Sequence, residues 1–205
     1  MTHVQGKPQR LFRFRRRHER RGQAMVEFGL VLPVFILLII GLIEFALAFN
    51  ANLAVNFASR EAALIGAESG NDAIADCRIL QTIENSIDNP SHASRINQVR
   101  VYRAGVNGNE LNANVYARGG NITCTFWDGV EDQEITVNYT LLNEGYPVAS
   151  RCNQLEGCAG VTLDTIGVAI SYTHPWVTPL AGIVTLNGSG FSFTASNAMR
   201  MEPVL

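Results

Sequence analysis

What this sequence lacks narrows its function first. Across 205 residues there is no G-x-S-x-G, H-E-x-x-H, P-loop or Rossmann dinucleotide fingerprint. The "GSG" at 188–190 is too short to be more than a turn, and His174-Pro175-Trp176 reads as an ordinary loop. No set of residues converges on catalysis, so no enzymatic activity, cofactor or small-molecule substrate is expected. Nor is there a C-x-x-C. His92 and His174 stand at no ligand-like spacing from the four cysteines, which argues against a metal site. Internal repeats and low-complexity linkers are also missing. Lys and Arg are scarce beyond the first 22 residues: residues 1–22 carry eight Lys/Arg against one Glu, whereas residues 23–205 carry eight Arg against seventeen Asp/Glu. An acidic body does not suit nucleic acid. The basic arm abuts an apolar run, so it reads as a cytoplasmic topology signal rather than a nucleic-acid-binding tail.

That apolar run, Phe28 to Phe49, has Glu44 as its only charge. Its 22 residues reach about 33 Å as a helix, which matches a hydrocarbon core of about 30 Å. A domain of this size rarely encloses so long a helix that is apolar all round, so one membrane span is expected and no second. With Arg15, Arg16, Arg17, Arg20 and Arg21 before it, the span sits N-in and C-out. Glu44 is expected near the outer interface, its carboxylate snorkelling toward water. Three processing fates fit such a start. A secretory signal would be cut after the run, where Ala46-Leu47-Ala48 offers a small-x-small site, although the run exceeds the usual h-region of about 7–15 residues. A signal anchor would stay whole. The third fate is a cut before the run, after Gly22.

The residues around Gly22 favour the third. Gly22-Gln23-Ala24-Met25-Val26-Glu27-Phe28 places a glycine before the cut, a glutamate at the fifth mature position and an aromatic after it. This resembles the processing site of type IV pilin-like subunits. The longer stretch, with Pro33, Ile43-Glu44-Phe45 and Ala58-Ser59-Arg60-Glu61, resembles the TadE family of pseudopilins from tight-adherence (Flp pilus) systems. The resemblance is strong over residues 22–67, weakens beyond them, and returns at Ala198-Met199-Arg200-Met201-Glu202-Pro203; Leu47 stands where the family often has an arginine. It implies cleavage between Gly22 and Gln23 by a prepilin peptidase, and partners among other pilin or pseudopilin subunits and the Tad-type assembly machinery. It also implies a role for Glu27 and Phe28 in assembly. Physical chemistry points the same way for Glu27, because an acid within a span costs about 2.5–3.5 kcal/mol at mid-depth and needs a partner. The cationic α-amino group that cleavage creates on Gln23, of the same or a neighbouring subunit, is such a partner. Cleavage also removes the basic anchor.

Past the span, Phe49, Leu53, Phe57 and Leu64 fall at helical spacing and are expected to pack this helix's continuation on a sheet, with Gly66, Gly70 and Asn71 ending it. A second helix is expected over about 72–87, with Ile74, Cys77, Leu80, Ile83 and Ile87 on one side and "DNP" closing it. The period then shifts to two at Val99/Val101, Ile122/Cys124/Phe126, Ile135/Val137/Tyr139/Leu141, Ile166/Val168/Ile170/Tyr172 and Phe191/Phe193. These read as an antiparallel meander, with turns at "AGVNGN", "RGGN" and "NEGYP". The expected fold is α+β and pilin-like, with a long N-terminal helix and a second helix packed on an antiparallel sheet. It divides into a basic leader at 1–22, a transmembrane helix at 23–49 and an extracytoplasmic domain at 50–205. Cys77, Cys124, Cys152 and Cys158 all fall on the exported side, which favours disulfides. Of three possible pairings, the short 152–158 loop suggests 152–158 with 77–124. Two function classes remain: a structural or assembly subunit of a surface fibre or secretion machine, and a membrane-anchored extracytoplasmic binding domain. By the same resemblance, the large head implies a minor pilin or pseudopilin over a short bulk Flp pilin.

Overall fold

The computed structural model of the protein describes residues 19–87, 91–154, 158, 162–179, 182 and 190–203. Most of the basic leader, the "DNP" stop and most of "LNGSG" lie outside them. The chain forms two compact units, Met1–Gly41 and Leu42–Leu205. Helix α1 (Glu19–Ser69) runs through both and holds Pro33. It is long and apolar enough to cross a membrane, and almost all of its most apolar stretch is exposed. Gly70 ends it in the left-handed region at φ 54°, donating its N–H to the Gly66 carbonyl at 3.1 Å. A Cβ at this position would lie 2.2 Å from Asn153 Nδ2, so the cap is closed to other residues.

Within the larger unit, α1 turns a ridge of small side chains inward. Ala51, Val55, Ala58, Ala62, Ala63 and Ala67 are essentially inaccessible, whereas Phe49, Leu53, Phe57 and Leu64 stand exposed. This corrects the expected stripe, which lies on the wrong side of the helix. Alanines let the helix backbone come close to the sheet, and the same logic places Gly66 where an added Cβ would lie 3.0 Å from Ile79 and Ile166. The apolar period alone gave no means of telling the face made of small residues from the face made of large ones.

Helix α2 (Ala75–Ser86) buries the side foreseen for it: Ile74, Cys77, Leu80, Ile83 and Ile87 all lie in the core. Five strands follow: β1 (Ile96–Ala104), β2 (Glu110–Trp127), β3 (Asp132–Glu144), β4 (Thr165–Pro175) and β5 (Gly190–Arg200). All neighbouring strands are antiparallel, in the order β3-β2-β1-β4-β5. The first three strands are a meander. The fourth departs from it by crossing to the free edge of β1. The expected "RGGN" turn is instead a bend inside β2, where Gly119 (φ 104°) and Gly120 (φ 90°) break the register with β3 between Arg118 and Ile122. Beyond this bend, Cys124 meets Cys77 of α2 at a Cα separation of 6.4 Å, and Cys152 pairs with Cys158 at 5.6 Å. The two disulfides follow the pairing that the short loop suggested.

The buried ridge leads to a ranking of variants. Ala58→Leu should destabilise the Leu42–Leu205 unit by about 1–3 kcal/mol through overpacking. Phe57→Ala should stay within about 0.5 kcal/mol, because its ring is 65% exposed. Denaturant unfolding of the detergent-solubilised chain measures both, and the reverse ranking would return the aromatic stripe to the core.

Candidate processing and assembly site

Gly22, Gln23, Glu27 and Phe28 all lie near the start of α1, and all four are exposed. Gln23 Nε2 donates to Glu27 Oε1 at 2.9 Å, an i to i+4 pair on one helical face. The amine that a cut after Gly22 would create therefore stands on the face that carries Glu27. A Cβ on Gly22 would meet nothing within 4 Å, so its own surroundings do not forbid a side chain. The demand for glycine, if a peptidase imposes one, comes from outside the chain. A helical peptide bond is engaged in the intrahelical ladder and must unwind to enter a cleft; glycine lowers that cost by about 1 kcal/mol relative to alanine.

Glu44, the one acid of the apolar run, behaves differently from the expectation of a snorkelling side chain. Glu44 is only 3% exposed. The Val177 N–H donates to its Oε1 at 3.1 Å and the Thr178 N–H to its Oε2 at 2.7 Å. His174 Nε2, at 3.3 Å, completes the grip. The sequence reading of His174-Pro175-Trp176 as an ordinary loop is likewise corrected, since His174 and Pro175 belong to β4 and His174 is buried. Two backbone amides and an imidazole replace the water that the carboxylate was expected to seek, which is how a buried carboxylate avoids a large desolvation penalty. Alongside lies a cavity of about 110 Å³ lined by Leu47, Ala51, Arg95, His174 and Val177.

A second buried polar centre was invisible in the sequence because its members are far apart in the chain. Asp76 of α2 accepts from Asn114 Nδ2 at 2.9 Å, from the Tyr116 hydroxyl at 2.5 Å and from Arg151 Nη2 at 2.5 Å. Asp164 accepts from the Tyr146 hydroxyl at 2.8 Å and pairs with Arg103 Nε at 2.8 Å. Burial, reinforced by the carboxylate beside each, raises the Tyr116 and Tyr146 hydroxyls well above the ordinary tyrosine range. Burial pushes Tyr139 up to about 12. Together these contacts tie α2 and β1 to β2 and to the segment between β3 and β4. Each charged member faces an oppositely charged partner, although Arg151 Nε and Nη1 are buried without one and a cavity of about 250 Å³ borders Asp76, Asn114 and Tyr116. Among the described residues, no group of three or more His, Cys, Asp or Glu side chains is placed to hold a metal ion.

The Glu44 grip can be tested by removing the carboxylate. Glu44→Ala should strand the Val177 and Thr178 amides and cost roughly 1–3 kcal/mol. Hydrogen exchange at those two amides should accelerate, while exchange in α2 should change little. Unchanged protection at Val177 and Thr178 would show that the carboxylate does not hold the turn.

Comparison with known proteins adds one match. The profile of the TadE-like protein family covers residues 22–64, from the glycine before the candidate cut to the buried alanines of α1. No curated protein and no solved structure matches the chain.

Proposed function

We propose that this chain is a minor pilin or pseudopilin of a tight-adherence type pilus or a related secretion machine, made as a single-span precursor and released for assembly by a prepilin peptidase. The observation that carries the reading is the Gly22-to-Glu27 spacing at the head of an exposed apolar helix. The TadE-like match over residues 22–64 supports it, since that family is associated with tight-adherence pilus systems. One helix that is long and apolar enough to cross a membrane supports single-pass anchoring. The arginine block before it supports an inner-membrane, N-in/C-out orientation, with residues 1–22 as a cytoplasmic leader, 23–49 as the span and 50–205 outside.

In this reading the leader is an electrostatic anchor. Eight Lys/Arg, opposed by a single Glu, hold the precursor's N-terminus at the cytoplasmic face. Removing them leaves an amine on Gln23 that Glu27 of a neighbouring subunit neutralises inside the apolar phase, where a lowered dielectric strengthens the pair. The exposed residues Phe45, Phe49, Leu53 and Phe57 supply apolar contact area for neighbouring subunits. The protein has no catalytic role in this scheme. The competing class, an anchored binding domain with no part in assembly, needs neither the glycine nor the glutamate.

The mature chain should begin at Gln23, as read by N-terminal sequencing or intact mass of membrane-extracted protein, and Gly22→Leu should block the cut. A start at Phe49 would identify a secretory signal instead, and an intact leader would leave a plain anchor. Glu27→Ala should insert and be cleaved normally yet be lost from co-purification with fibre or secretion partners. Wild-type recovery with those partners would remove Glu27 from assembly.

A further inference from the structure

The strand end that grips Glu44 also carries a cluster of aromatic and apolar side chains. Trp176 packs on Phe191 at a ring separation of 5.9 Å, Phe191 on His174 at 5.5 Å and on Phe193 at 5.8 Å. Phe191 is 36% exposed and Val177 57% exposed, and Trp176 is half-buried, its ring partly accessible and its Nε1 covered. Through Glu44 this cluster is held level with one turn of α1 whose outward residues, Leu42, Ile43 and Phe45, are all exposed and apolar. A soluble surface does not call for so many apolar groups at one level.

The apolar run fixes what lies at that level. From Ala24 to Ile43 there are twenty residues with Glu27 as the sole charge, about 30 Å of helix, which matches one hydrocarbon core. A bilayer spanned by those twenty residues alone, a shorter span than the 23–49 proposed above, has its outer boundary at Glu44, five residues before Phe49. Tryptophan and other amphipathic aromatics collect at that boundary. Backbone N–H groups that face hydrocarbon are tolerated only when satisfied within the protein, and the Val177 and Thr178 amides are satisfied by Glu44. Arg95 borders the same cavity as His174 and Val177, is half-buried, and has no ion-pair partner among the described residues. It brings a cation to the depth at which lipid phosphates lie.

We propose that the end of β4 and the turn after it, His174 to Thr178, with Phe191, form a foot that rests in the interfacial layer of the phospholipid bilayer, Trp176 and Val177 among the lipids and Glu44 marking the outer end of the span. This rests on the single-span reading of α1. It gives Glu44 a second consequence: the carboxylate sets the height of the domain above the membrane as well as holding a turn.

The two tryptophans supply their own control. Trp127 ends β2, next to Phe126, whose ring lies under the Arg78 guanidinium in the first turn of α2. That turn follows the end of α1, 25 residues beyond Glu44, or roughly 37 Å along the helix. The full chain is reconstituted into vesicles of phosphatidylcholine and phosphatidylglycerol, with and without bromine on the upper acyl chain, as Trp127→Phe and as Trp176→Phe. Trp127→Phe leaves the foot unaltered, so its fluorescence reports Trp176 in the native turn. Bromine should quench Trp176 at least about twofold more than Trp127, as expected for an interfacial ring. Equal quenching overturns the proposal. So does a blue-shifted but unquenched Trp176, which would mean that protein rather than lipid covers it. Alkaline carbonate extraction of the same vesicles separates the two levels of failure: release of the chain removes the span and the foot together, and retention with unquenched Trp176 removes the foot alone.

Discussion

How α1 is joined to the end of β4 in the Leu42–Leu205 unit depends on one carboxylate being given partners inside an apolar helix. Glu44 stands among residues that have no other polar function, and a charge there is stable only if something replaces its water. His174 of β4 and two main-chain donors from the turn after it supply the replacement. The reach of these bonds across 130 to 134 positions makes the first helix and the fourth strand mutually dependent. Either part alone would leave a charge or two amides without a partner.

Around that grip the helix and sheet approach one another through alanine. A ridge of Ala51, Ala58, Ala62 and Ala67 with Val55 gives up side-chain volume in exchange for closeness, and Asn197 of β5 reaches far enough to bond Ser59 Oγ at 2.6 Å and the Asn56 carbonyl at 3.3 Å. Leaving the large residues on the other side of α1 is the corollary. A helix has only so much perimeter, and a small inward face obliges Phe45, Phe49 and Phe57 to point elsewhere. Exposed aromatics on α1 are thus tied to how closely its other side is packed, and they need not be read as surplus hydrophobicity.

Much of this was legible in the residues. The helical period of Ile74, Cys77, Leu80, Ile83 and Ile87 placed the second helix and its buried side, and alternation at Ile135, Val137 and Tyr139 placed a strand and its inward face. Local pattern did not reveal which side of α1 is buried, because periodicity records hydrophobicity and the decision there turned on size. It also misread "RGGN", where two glycines bend a strand instead of ending it. The order of the strands was out of reach, since nothing in β4 declares that it pairs with β1. The partners of Glu44, Asp76 and Asp164 were equally hidden, because each is met by residues that no short window contains.

The way the two ends of the unit are joined has a consequence for the order of events as the chain emerges. The Glu202 N–H donates to the Ala67 carbonyl at 3.1 Å and the Met201 N–H to the Asp164 carbonyl at 2.9 Å, while β5 closes the sheet beside β4. Contacts of such long sequence separation form slowly, since loop closure must precede their reward. The α1 ridge cannot be covered until β4 and β5 have been synthesised, so this unit completes its fold only after nearly the whole chain has been made. In the interval, its alanine ridge and the Glu44 carboxylate are open to whatever holds an incomplete chain.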